Sequence, residues 1–177
     1  MKRMTSFFVA GLVILGLAGA AFSQTDAANH NVNITVNAIA QLAIVGGDAS
    51  VSVDDTGITA GEQPNVNEDA TTYLQYTSIV ASGNTRILTA LTDGNEPAGC
   101  ELKASAVTGG GTEGTGLTDV ALSTSAANVV TGIGTCATGT GGTDGANITY
   151  GLNLTFASLV ETASTAVQVT WTLTDDS

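Results

Sequence analysis

Ile148-Thr149-Tyr150-Gly151-Leu152-Asn153-Leu154-Thr155-Phe156 carries an apolar side chain at every second position, and Val167-Gln168-Val169-Thr170-Trp171-Thr172-Leu173 does the same. Successive side chains of a strand point to opposite faces, so this period marks strands with one dry and one wet face. The dry faces give the expected core: Tyr150, Leu152 and Leu154 on one strand, Val169, Trp171 and Leu173 on the other, with Trp171 as its anchor.

The same alternation runs through the chain. Val32, Ile34 and Val36 alternate with Asn31, Asn33, Thr35 and Asn37; Leu42 and Ile44 follow, and Gly46-Gly47-Asp48 breaks the run. Val51 and Val53 predict a short strand, and Asp54 to Ala70 a long polar connection. Further strands are predicted over Thr72–Val80, Arg86–Leu91, Leu102–Ala106, Val120–Leu122 and Val129–Ile133. The Gly/Thr-rich stretches Thr108–Thr118 and Thr138–Gly145 read as loops, the first a mobile one. No window repeats apolar residues with helical spacing, and Ser123–Asn128 allows one helical turn at most. About nine short strands separated by turn signals predict an all-β fold, an antiparallel Ig-like/Greek-key β-sandwich. The abundance of Thr and Val fits a pleated, half-buried surface.

The 177 residues hold 4 Lys+Arg against 16 Asp+Glu, a formal net charge of -12. So few cations exclude a nucleic-acid binder, which neutralises phosphates with Lys and Arg. A 43% hydrophobic content excludes charge-driven disorder. Lys2 and Arg3 precede the apolar run Phe7–Ala21, and Ala21-Phe22-Ser23 supplies small residues at a cleavage site. This pattern predicts a signal peptide over residues 1–23, followed by a single domain over 24–177. Without a second long apolar stretch, no transmembrane anchor is expected after cleavage. The predicted location is secreted, extracellular or at the cell surface, with the periplasm as the alternative. Arg86 and Lys103 are then the only cations left in the mature chain.

Cys100 and Cys136 are the two cysteines, and an oxidising compartment predicts a disulfide between them. Catalytic parts are scarce. The single His, His30, sits in a polar lead-in, and no Ser-His-Asp constellation is available without another. The aromatics Tyr73, Tyr76, Tyr150, Phe156 and Trp171 must serve core and any glycan groove together. A non-enzyme is expected, with no organic cofactor. Asp54, Asp55, Glu62, Glu68 and Asp69 concentrate hard oxygen ligands near one connection and are the candidate Ca²⁺ ligands. The bland reading of these carboxylates is a solvated acidic loop. Asn33-Ile34-Thr35, Asn147-Ile148-Thr149 and Asn153-Leu154-Thr155 match the glycosylation sequon, but strand alternation already produces that pattern.

Thr170-Trp171-Thr172-Leu173 resembles the distal T-W-x-L motif of WxL-type bacterial surface domains. The Leu122–Ser125 segment, Asn128-Val129-Val130-Thr131-Gly132 and the last strand are similar to a broader class of small exported bacterial β-sandwich proteins. The resemblance implies a secreted, β-rich, cell-wall-associated protein. The sequence therefore predicts a non-catalytic structural or cell-surface protein, a subunit of a fibre, coat or matrix. The alternative is a cell-wall or carbohydrate-binding module of WxL type. Expected partners are further copies of itself, other surface proteins, or cell-wall polymer.

Overall fold

A computed structural model describes residues 30–176; the expected signal peptide lies outside the described residues. The chain divides into two units, Met1–Thr35 and Val36–Ser177. All strands of the described residues belong to the second. In order they are β1 (Ile39–Val45), β2 (Ser52–Asp54), β3 (Asn65–Asn67), β4 (Asp69–Ile79), β5 (Arg86–Thr92), β6 (Cys100–Val107), β7 (Thr115–Gly116), β8 (Val120–Ala121), β9 (Ala127–Ile133), β10 (Cys136–Ala137), β11 (Ala146–Leu154) and β12 (Val169–Asp175).

Every pairing is antiparallel. One sheet has the order β1-β4-β11-β6-β8, with β10 also paired to β4. A second has the order β12-β5-β9-β7, and β2 and β3 form a separate ribbon. The two larger sheets enclose one core, which makes the fold an all-β arrangement of sandwich type. The first sheet contributes Leu74, Tyr76, Leu102, Ile148 and Tyr150; the second contributes Leu88, Val129, Val130, Ile133 and Trp171. Large and small residues alternate across the pairs: Trp171 stands opposite Ala90, and Tyr150 opposite Ala104. A methyl beside each ring leaves the volume that the ring fills, as close packing demands.

The closing strands behave as read except at Phe156, which lies past the end of β11 in a 3-10 turn and is exposed rather than on the dry face. Trp171 is 9% exposed, Tyr150 is buried, and Val167, Val169, Leu152 and Leu173 pack against the core. Leu154 is half-buried at the end of β11.

Four expectations are corrected. Among the described residues twelve strands form rather than about nine, because β3, β7 and β10 are two- or three-residue pieces that no alternation marks. Residues 30–38 form no strand despite their alternation, and β1 begins at Ile39. A strand needs a neighbour for its backbone groups, and alternation alone does not supply one. The Thr108–Thr118 stretch is built into the fold: β7 pairs with β9, the Leu117 amide donates to the Val129 carbonyl at 2.8 Å, and the Ala106 amide donates to the Leu117 carbonyl at 2.8 Å. Its glycines permit close approach, since a Cβ at Gly116 would fall on the Ala106 carbonyl oxygen.

The fourth correction concerns the disulfide: Cys100 and Cys136 are both free. Cys136 pairs with Ser78 near one end of β4, and Cys100 pairs with Leu154 at the far end of β11. Strands β4 and β11 are aligned through Leu74 and Ala146. At ~3.3 Å per residue this register separates the cysteines by roughly 30–40 Å, and a bridge requires Cα atoms within about 7 Å.

Candidate functional site

The outer strands β1 and β12 lie on the same side of the two sheets, and each is paired along one edge only. The hydrogen bonds flanking β12 fix which of its backbone groups are free. The Asp93 amide donates to the Gln168 carbonyl at 3.1 Å, and the Asp176 amide donates to the Thr85 carbonyl at 3.0 Å. Even-numbered residues of β12 therefore face β5. The odd-numbered Val169, Trp171, Leu173 and Asp175 turn their N–H and C=O groups to the open edge.

The inward face of β1 is also incompletely covered. Ala40, Leu42 and Ile44 stand opposite Ser78, Tyr76 and Leu74, which are all buried. Yet Ile44 is 56% exposed and Leu42 only half-buried. The four-stranded sheet ends at β12, so this part of the larger sheet lacks a facing strand.

Arg86 closes one end of this open side. Its side chain is buried; its Nε donates to Asp175 Oδ1 at 2.9 Å, and its Nη1 donates to the Ile39 carbonyl and, at 3.4 Å, to Ser78 Oγ. One guanidinium thus ties the start of β1, the start of β5 and the end of β12. A cavity of about 200 Å³ beside it is lined in part by Ala38, Thr85 and Asp176.

Four of the five candidate calcium ligands are engaged by the protein's own donors. Asp54 Oδ1 accepts from the Thr56 amide at 3.0 Å, and Oδ2 accepts from Asn67 Nδ2. The Thr56 amide, then the Asn67 bond, hold the Asp54 carboxyl below its ordinary value. Asp69 accepts from Thr71 Oγ1 at 2.6 Å, from the Ser50 amide at 3.0 Å and from the Thr71 amide at 2.8 Å, which lowers its pKa in the same way. Glu62 accepts from the Thr59 amide at 2.7 Å. Glu68 pairs with Lys103 Nζ at 3.2 Å, and Lys103 also pairs with Asp119 at 2.8 Å. Asp55 is exposed in the turn after β2. Among the described residues no three His, Cys, Asp or Glu side chains come together as a metal site.

The aromatics do not form a platform. Trp171 Nε1 donates to the Tyr150 hydroxyl at 2.9 Å, and Tyr76 donates to the Glu113 carbonyl at 2.6 Å. Burial pushes both phenols above their ordinary pKa. Burial likewise raises the Cys100 and Cys136 thiols, and Glu113 adds to the shift at Cys136. Tyr73 is half-buried, and Phe156 alone of the five is exposed. A shallow depression of about 420 Å³ between β1, β4 and the 139–140 turn is lined by Gln41, Gln75 and Thr77 among others.

The feature that remains is the open side itself. Little in the local sequence marks it, because sheet order and register are set by partners distant in the chain. The one available signal was the uncharged, proline-free run Val169–Thr174, which lacks the devices that blunt an edge strand. No family model matches the chain, and neither a curated protein nor a solved structure matches it.

Proposed function

We propose that this chain is a non-catalytic, secreted structural or cell-surface protein that assembles as a subunit of an extracellular fibre, coat or matrix. One observation carries the reading. Val32, Ile34 and Val36 are 68%, 84% and 73% exposed, and Ile39 and Ile44 are exposed just after them on β1. Large apolar side chains left in water in succession, leading into an open sheet edge, fit association better than solitary existence. The acidity of the chain suits solubility until that contact forms.

The Ig-like, Greek-key reading of the sandwich has partial support. The long strands β4, β5, β6, β9, β11 and β12 alternate between the two sheets, as Greek-key connections do. Against the Ig-like order stands the position of β11, the next-to-last long strand, between β4 and β6. The alternative of cell-wall binding in the WxL manner loses force because Trp171 is committed to the core through Tyr150.

Sedimentation velocity and negative-stain electron microscopy of the chain from Gln24, over a wide concentration range, test the proposal. Oligomers that grow with concentration support it. A monomer at every concentration that is retained by isolated cell-wall polysaccharide would replace it with the binding reading.

A further inference from the structure

We infer that residues 31–37 of one copy add as a strand to the free edge of β12 in a second copy. The inference rests on the assembly reading above and names the joint.

The arm is built as a strand with no neighbour. Val32, Ile34 and Val36 fall on one side of an extended chain, and Asn31, Asn33, Thr35 and Asn37 on the other. Residues 30–38 nonetheless form no strand, and the three apolar side chains are exposed. Strand β12 offers the matching half. Val169, Trp171 and Leu173 present N–H and C=O groups to the open edge, and no Pro, Lys or bulge guards it. A strand added there extends the four-stranded sheet over the inward face of β1. Its apolar side chains then cover Ile44 and Leu42, which the monomer leaves in water. Main-chain bonds supply affinity, and alternate side chains filling the uncovered face supply register.

The donor is a second copy because the single chain leaves arm and edge unmatched: residues 30–38 form no strand while the outer edge of β12 stays open. The chain enters β1 beside Arg86 at the end of β12. To pair with its own β12, the arm would have only the link from Val36 to Ile39 in which to change sheets, reach the outer edge of β12 and reverse direction. That link is three Cα steps, at most about 11 Å when fully extended, and a reversal of direction shortens it. A second copy meets no such limit. The exchange is also heterologous, arm to edge, so each added copy presents a new free arm, and growth is linear unless the ring closes.

The test compares the chain from Gln24 with the double variant Ile34→Asp, Val36→Asp. Both positions are exposed, so the sandwich is expected to fold unchanged, as far-UV circular dichroism would verify. Sedimentation reads assembly, and residue-resolved hydrogen exchange reads the edge. The expected result is loss of oligomers in the variant and at least tenfold faster exchange at the amides of Val169, Trp171 and Leu173. Amides on the β5 side, such as Thr170 and Thr172, stay protected. A synthetic peptide of residues 30–38 added to the variant is expected to restore protection at those odd-numbered amides. Oligomers that persist in the double variant with unchanged edge protection would overturn strand exchange while leaving assembly by another surface standing. Protection of the Trp171 amide in the wild-type chain, at dilutions where only monomer is present, would overturn it in favour of pairing within one chain. A wild-type chain that never oligomerises and an edge that ignores the peptide would defeat both readings together.

Discussion

Replacing Trp171 and Tyr150 singly and together should give a markedly non-additive result. The indole N–H donates to the Tyr150 hydroxyl at 2.9 Å, and both side chains are buried. Trp171→Phe removes the donor, leaves the Tyr150 hydroxyl without that partner, and opens space beside Ala90. Tyr150→Phe keeps the ring and strands the indole N–H. Each orphaned group costs about 1–3 kcal/mol. The double variant carries neither orphan, so it loses only the ring volume and the net value of one bond. Its destabilisation should fall short of the sum of the singles by about 1–2 kcal/mol. Trp171→Ala, which empties the site, should cost about 3–5 kcal/mol. Urea denaturation followed by circular dichroism measures all four proteins, since fluorescence is lost with the only Trp. Additivity of the Phe variants within ~0.3 kcal/mol would refute a coupled bond, and a cost below ~1 kcal/mol for Trp171→Ala would refute the packing.

Gly116→Ala should destabilise by about 1–3 kcal/mol, because its methyl meets the Ala106 backbone; Gly142→Ala, with open space around it, should stay within ~0.5 kcal/mol in the same denaturation assay. Unfolded without reductant, the protein should react with thiol reagent at both Cys100 and Cys136, and mass spectrometry would show two adducts or, against the register argument, none. The Asp69 carboxyl titrates in the folded state below the 3.8 of an unperturbed Asp. Its contribution to stability is therefore complete above that value and lost as pH falls through the folded pKa. Asp69→Asn should lower the melting temperature at pH 7 and flatten its fall in acid; an acid limb as steep as in the wild type would show that Asp69 is not responsible.

Strands with one wet and one dry face were legible, and β11 and β12 follow their alternation closely. Burial was harder to read on β5, where Arg86 and Thr92 occupy inward positions. A buried guanidinium is acceptable there because Asp175, Ser78 and the Ile39 carbonyl surround it, and these come from three other strands. The cysteine pairing failed for a related reason. Two cysteines in an exported chain suggest a bridge by number, whereas distance depends on the register of β4 and β11, which no local pattern encodes. Residues 32–36 show the converse: their pattern specifies a strand, but the sequence does not say whose edge completes it. The Gly-rich stretch before Val120 was misread because glycine marks close backbone approach as well as looseness.

The alternation of long strands between sheets also governs when this protein can fold. Strand β4 is paired along one edge by β1, but its other neighbours, β10 and β11, are made only after residue 135. Strand β5 waits for β9 and then for β12 at the end of the chain. Six of the nine pairings therefore close a long loop before any contact offsets the lost entropy, which places folding in the millisecond-to-second regime of non-local β-proteins. A nascent chain ending before Ala146 lacks both closing strands and the core residues they carry, among them Ile148, Tyr150 and Trp171, so it stays threadable until synthesis is nearly complete.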